Sequence, residues 1–378
     1  MNVVIAIDSF KGSLSSLEAG NAVKEAILKV DGKAAVQVCP LADGGEGTVD
    51  ALQNGLGGKG VTVSVTGPLG EQVKAKYCIL PDGKTAVIEM ASAAGITLVP
   101  SDKRNPLNTT PFGVGEMIRD AINKGCRRFI VGIGGSATND GGVGMLSALG
   151  FEFLDENGNA IEIGAKGLEN LKIIKTDNVL PELSDCVFRV ACDVTNPLCG
   201  ENGCSAVFGP QKGADSQLIA DMDNWLFNYS NLAKTVSAKA DKDYPGVGAA
   251  GGLGFAFRTF FNAELQSGVE IVLQETRLEE AIKNADIVVT GEGRLDGQTA
   301  MGKAPIGVAR LAKKHGKKVI AFSGCVADDA ETLNAHGIDA FFPILRNVVT
   351  LDEALQKSNA YRNLKDTAYQ VFRLIYFC

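Results

Sequence analysis

Residues 285–324 read ADIVVTGEGRLDGQTAMGKAPIGVARLAKKHGKKVIAFSG, and their order decides the fold class. ADIVVT is an apolar run of strand length, and GEGRLDGQTAMGK is a glycine-rich loop. APIGVARLAKKHG carries its apolar residues at helical spacing and closes on Gly316 after Lys313 and Lys314. KKVIAFSG is a second strand. Strand, loop, helix and strand in that order predict a parallel sheet.

The start of the chain repeats the pattern. Val3–Ile7 reads as a strand, Asp8–Leu14 as a loop, and Ser15-Ser16-Leu17-Glu18 as a capping box. Ala19, Ala22, Val23, Ala26 and Ile27 then recur at helical spacing. A second strand, AAVQVCPLA, leads to Asp43-Gly44-Gly45-Glu46-Gly47 and a short helix, TVDALQNGL. Residues 61–99 differ, since their short alternating runs are separated by turn signals, as in an antiparallel or mixed sheet. Further on, RRFIVGI is a strand and VGMLSALG a helix. FEFLDENG is expected to open another βα unit, a strand precedes Asp193, and a helix covers about Asp215 to Lys239. The expectation is an α/β protein of two domains with mainly parallel sheets. The two ends, 1–65 and 280–378, form one domain, with 66–279 inserted as the second.

At 378 residues the chain has room for two cores. A formal charge of −7 argues against nucleic-acid or anionic-membrane surfaces, which need clustered cations. No window approaches the roughly 18 consecutive apolar residues of a membrane span. MNVVIAID lacks the basic region of a secretory signal. Nine cysteines without a C-x-x-C pair fit reduced thiols, so a cytoplasmic protein is expected. His315 and His336 are poorly placed for zinc or for a Ser-His-Asp arrangement. Homo-oligomerisation is left open. Forty-five glycines against one Trp suggest turns at which the backbone approaches a ligand closely.

Within the opening stretch, GQTAMGKA (Gly297–Ala304) is one hydroxyl short of the P-loop pattern G-x-x-x-x-G-K-[ST]. Ala304 cannot ligate Mg²⁺, and the strand is expected to end at Thr290, too early for a P-loop. Gly302, Lys303 and Pro305 read instead as the entry to the next helix. GIGGSA (Gly132–Ala137) fits the dinucleotide pattern G-x-G-x-x-A, with Asp155 at the distance of a ribose-binding acid. A nicotinamide-linked hydroxyacid oxidoreductase is therefore the competing reading, although the loop runs on to Gly142. A non-catalytic carrier of small anions is a third.

Five loops share one design: a strand ends, carboxylates and glycines follow, and a helix begins. They are Asp8–Ser13, Asp43–Gly47, Gly134–Gly142, Cys192–Pro197 and Gly291–Thr299. In open α/β sheets ligands bind outside the carboxyl ends of the strands, where helix N-termini and bare amides suit anions. Carboxylates gathered near phosphates make sense if a hard cation such as Mg²⁺ joins them.

With these loops in view, the chain resembles the glycerate kinase family of bacterial glycerate metabolism. The resemblance is carried by AIDSFKGSLSSLEAGNAV, PLADGGEGTVDAL, NPLNTTPFGVGEMI, GIGGSATNDGGVGMLSALG, CDVTNPLCGENGCSAVFGPQKGA, GAAGGLGFA and GEGRLDGQTAMGKAPIGVA, spanning Ala6 to Ala309. The resemblance implies ATP-dependent phosphorylation of D-glycerate with Mg²⁺, giving the 2-phosphate and ADP. It also implies two α/β domains with an active-site cleft between them and no P-loop. The chemistry then nominates Asp8, Lys11, Asp193 and Arg294 as catalytic, and Asp43, Glu292 and Asp296 for the metal. Ser9, Gly44, Gly45, Glu46, Gly134, Gly135, Ser136, Thr138, Asn139, Asp140 and Lys303 are nominated to bind substrate or phosphate.

Overall fold

The computed structural model describes residues 1–42 and 47–377. The strands among the described residues are β1 (Asn2–Ile5), β2 (Ala35–Val38), β3 (Lys59–Thr66), β4 (Gln72–Ile79), β5 (Thr85–Glu89), β6 (Arg128–Gly132) and β7 (Glu152–Leu154). They continue with β8 (Ile173–Lys175), β9 (Val187–Ala191), β10 (Glu264–Gln266), β11 (Ile287–Leu295), β12 (Lys318–Val326) and β13 (Ala340–Pro343). The chain divides into two compact units. One comprises Met1–Asp43, Asp50–Leu56 and Val269–Cys378, the other Gly44–Val49 and Gly57–Gly268.

The first unit is built on a parallel sheet in the order β13-β12-β11-β1-β2. Its central strands are apolar on both faces, as strands covered by helices on both sides must be. Val3, Ile5, Val289 and Phe322 join a core with Ala22, Val23 and Ile27 of helix Ser16–Val30 and with Leu364, Ala368 and Phe372 of helix Lys357–Phe377. The capping box forms as the sequence predicts. Ser15 Oγ accepts the Glu18 amide at 3.3 Å, and Glu18 Oε2 accepts the Ser15 amide at 3.1 Å. Such a cap contributes about 1 kcal/mol. β11 is longer than expected, continuing through Gly291 and Glu292 to Leu295 in register with Phe322, Ser323 and Val326 of β12. Its ladder hydrogen bonds to β12 outweigh the turn preference of the glycines. The early strand end was therefore no argument against a P-loop, whereas the missing hydroxyl at Ala304 still is.

The second unit carries the order β10-β9-β6-β5-β4-β3. β3, β4 and β5 pair antiparallel, and β5, β6, β9 and β10 pair parallel, so residues 61–99 open a mixed sheet as predicted. Phe129 on β6 stacks on Phe188 of β9 with ring centroids 4.7 Å apart, and Phe188 stacks on Phe261 at 5.0 Å. Helix Ser216–Val236 starts at Asp215, whose side chain accepts the Leu218 amide at 2.9 Å. FEFLDENG does not open a βα unit. β7 pairs antiparallel with β8 in a two-stranded sheet of its own. Asp155 is spent on its own turn, accepting the amides of Asn157 and Asn159 at 2.8 and 2.9 Å. It therefore does not end a strand of the parallel sheet, as a ribose-binding acid would. Among the described residues no helix is long and apolar enough to cross a membrane.

Candidate functional site

In the first unit the chain leaves β1 and reaches Asp8, which is 7% exposed. The Asp8 amide donates to the Gly291 carbonyl at 2.9 Å, and the Ser9 amide donates to Asp8 Oδ1 at 2.7 Å. A Cβ at Gly293 would stand 3.5 Å from the Lys11 nitrogen, so the loop after β1 runs alongside the end of β11. Glu292 projects there, mostly buried, and accepts the Thr299 hydroxyl at 2.7 Å. Lys303 Nζ lies 3.9 Å from Glu292 Oε2 and 3.8 Å from Asp296 Oδ1, while Arg294 Nε lies 3.4 Å from Asp296 Oδ2. Burial pushes the Glu292 carboxyl up, against the Thr299 bond and the charges of Lys303 and Lys11. Lys303 is the N-cap residue of helix Ala304–Lys314, with Pro305 in its first turn, as the sequence predicts. Asp8, Ser9, Lys11, Glu292, Arg294, Asp296 and Lys303 thus gather at the carboxyl ends of two neighbouring parallel strands. Asp43, Gly44, Gly45 and Glu46 lie outside the described residues.

In the second unit, register aligns Glu89 of β5 with Gly132 of β6, and Gly132 with Ala191 of β9. Three parallel strands therefore end level. Gly134 and Gly135 are exposed just beyond β6. Asp193 is exposed beyond β9 and accepts the Gly268 amide at 3.1 Å. Glu89 accepts the Val49 amide at 2.7 Å.

The rest of the Gly134–Gly142 loop turns inward, which corrects the expectation that all of it faces a ligand. Asp140 is 1% exposed, and its two oxygens accept the Gly142 and Gly144 amides at 2.9 Å each. It caps helix Val143–Ala148 from the loop, and burial pushes its carboxyl up to about 6 against those two bonds. Asn139 Nδ2 donates to Ser205 Oγ at 2.8 Å, and neither Asn139 nor Thr138 reaches solvent. The loop is held by Gly251, at φ +65°, whose Cβ would stand 2.0 Å from the Thr138 carbonyl oxygen. Only Gly134 and Gly135 remain exposed, and Ser136, next to them, is already buried at 7% exposure.

Three residues in these places escaped the sequence reading. Lys212 is 2% exposed, and its Nζ donates to Ser136 Oγ at 3.0 Å and to the Thr138 carbonyl at 2.6 Å. Gly213, at φ +96°, sets the turn that delivers it, since a Cβ there would stand 2.2 Å from the Arg104 carbonyl oxygen. A lysine inside Gly-Pro-Gln-Lys-Gly, a loop too tight for a solvated arm, was the available signal. Thr299 was visible only as part of a loop, and Glu89 only as part of the alternating runs of residues 61–99.

For a magnesium ion the relevant donors are Glu292 and Asp296, two hard carboxylates within 4 Å of one ammonium. Mg²⁺ is ordinarily held by one or two carboxylates together with phosphate oxygens and water. This pair fits that pattern. Among the described residues no three acidic, histidine or cysteine side chains gather into a cage that would hold an ion unaided.

A model described as the glycerate kinase family matches residues 3–376 of the chain. The chain is 50% identical over 364 residues to glycerate 2-kinase of Escherichia coli (strain K12), covering 96% of this chain and 95% of that protein. It is 46% identical over 377 residues to glycerate kinase of Haemophilus influenzae, covering 100% of this chain and 99% of that one. The crystal structure of a protein described as glycerate kinase 2 from Salmonella typhimurium LT2 matches with a TM-score of 0.91 at 46% identity, over 99% of this chain and 98% of that chain.

Proposed function

The chain belongs to the glycerate kinase family, a family of phosphotransferases, and on that premise we propose that it moves the γ-phosphoryl group of ATP to D-glycerate, releasing ADP. The product of this reading is 2-phospho-D-glycerate, the regiochemistry carried by the name of the Escherichia coli relative. The observation that supports it is the cluster at the end of β11, where the carboxylates of Glu292 and Asp296 meet the cations of Arg294, Lys303 and Lys11.

Phosphoryl transfer asks the protein for position and charge more than for covalent chemistry. Lys11, Arg294 and Lys303 supply cations for the non-bridging phosphate oxygens. The exposed Gly134 and Gly135 amides and the Ser136 hydroxyl hold the phosphate chain of ATP. As the glycerate oxygen bonds to phosphorus and the bond to the ADP oxygen breaks, the glycerate hydroxyl loses its proton. Asp8 or Asp193 takes that proton. Glu292 and Asp296 would hold Mg²⁺, which neutralises phosphate charge when bound. A cytoplasmic setting agrees with eight unpaired cysteines among the described residues.

ADP release followed with a coupling enzyme across several small hydroxyacids tests the activity, and phosphorus NMR of the product identifies the oxygen phosphorylated. Tight glycerate binding without ADP release would overturn the proposal. Asp193→Asn and Lys11→Ala are each expected to lower kcat by about a hundredfold or more with the melting temperature unchanged. Near-normal turnover in either variant removes that residue from the mechanism.

A further inference from the structure

We infer that Lys212 is a positioning residue for the phosphate chain of ATP, acting through the hydroxyl of Ser136; this rests on the assignment of Gly134–Ser136 to phosphate made above. A buried ammonium is costly unless it is partnered. Lys212 is 2% exposed, and its two hydrogen bonds end on Ser136 Oγ and the Thr138 carbonyl, both in the loop that leaves β6. The charged or titratable groups that act on it are Asp140 in the same loop and Cys204 of helix Cys204–Phe208. Burial itself pushes the ammonium down to about 8, so at neutral pH it remains a cation.

A serine hydroxyl has one proton to give and two lone pairs with which to accept. The Lys212 ammonium occupies one lone pair at 3.0 Å. That leaves the Ser136 proton to donate, and a neighbouring cation makes a hydroxyl a stronger donor to an anion. Ser136, buried at 7% exposure, directly follows the exposed Gly134 and Gly135, and its proton is the group that adds to their amides in holding the phosphate chain. The second bond, to the Thr138 carbonyl, fixes the far side of the same turn, where Gly251 packs. Lys212 thus orders the loop from beneath and touches no ligand.

The test measures KM for ATP and KM for D-glycerate separately in Lys212→Met, Ser136→Ala and the double variant, with melting followed by calorimetry. Each single variant is expected to raise KM for ATP about tenfold while KM for D-glycerate stays within about twofold. The double variant should be no worse than Lys212→Met alone, because the two residues act in series. A lysine that merely supports the fold would lower the melting temperature and leave KM for ATP alone. That result, additive effects, or a normal KM for ATP in Ser136→Ala would each overturn the inference. Should Lys212→Met fail to fold, Lys212→Arg, which keeps the charge, must hold KM for ATP near the parent value while Ser136→Ala raises it. If the parent protein releases no ADP from ATP and D-glycerate, the functional reading itself fails. Normal parent turnover with unaltered KM values in the variants sinks only the role of Lys212.

Discussion

Asp82 shows how much one carboxylate can do in a turn. It sits between β4 and β5, where its Oδ1 accepts the amides of Lys84 and Thr85 at 2.8 Å each. Its Oδ2 accepts the Thr85 hydroxyl at 2.7 Å and an ion pair from Arg128. Burial pulls its carboxyl up, but the Thr85, Lys84 and Arg128 bonds win and bring it down to about 2. A carboxyl with a lowered folded-state pKa adds stability that is fully present above its unfolded value, near pH 4, and is lost as pH falls toward 2. Asp82→Ala is therefore expected to cost about 1 kcal/mol at neutral pH and to flatten the acid limb of a denaturation series in that window. An unchanged acid limb would refute the assignment. The sequence showed turn signals between the short runs of residues 61–99, and local chemistry was enough for that. It also marked Asp140 as ligand-facing, and there local chemistry was not enough. Whether a carboxylate in a glycine loop points at solvent or at the next helix depends on what packs behind the loop.

At the scale of elements, the Gly134–Gly142 loop and the start of helix Ala249–Phe261 form one piece of packing. Gly141 donates to the Gly251 carbonyl at 2.9 Å. Ala250, Gly251 and Gly252 all take left-handed backbone angles, so the helix proper begins after them. Gly251→Ala meets two penalties, a strained φ and a Cβ 2.0 Å from the Thr138 carbonyl oxygen. It is expected to destabilise by about 2–3 kcal/mol, read as a shift in denaturation midpoint. It should also weaken ATP binding, because the Thr138 carbonyl is the second acceptor of Lys212. A variant as stable as the parent would show that the turn relaxes freely. Elements with a strong period were legible, such as helix Ser16–Val30 with its capping box and helix Ser216–Val236. The end of β11 was not, because Gly-Glu-Gly-Arg-Leu has no strand signal of its own and is extended only by the backbone of β12.

At the scale of the whole molecule, the two ends of the chain are brought into one unit, with β1 inserted between β11 and β2. Helix Lys357–Phe377 packs along helix Ser16–Val30, with Tyr361 donating to Glu25 Oε1 at 2.8 Å and Lys365 Nζ 2.5 Å from Glu25 Oε2. Phe372 is fully buried in this core. Phe372→Ala is expected to cost about 3–5 kcal/mol, and a loss under about 1 kcal/mol would mean that the terminal helix carries little of the core. The sequence by itself determined the alternation of strand and helix, the short sheet strands of residues 61–99, the acidic glycine loops and the resemblance that led to the family. These follow from periodicity and turn chemistry, which act over a few residues. Only the tertiary structure decided that Lys303 stands beside both Glu292 and Asp296, that Asp140 faces inward, and that Lys212, 76 positions beyond Ser136, lies beneath it. Those facts depend on which strands lie side by side and on which loops the packed core excludes from water, and the choice is made by contacts far apart along the chain.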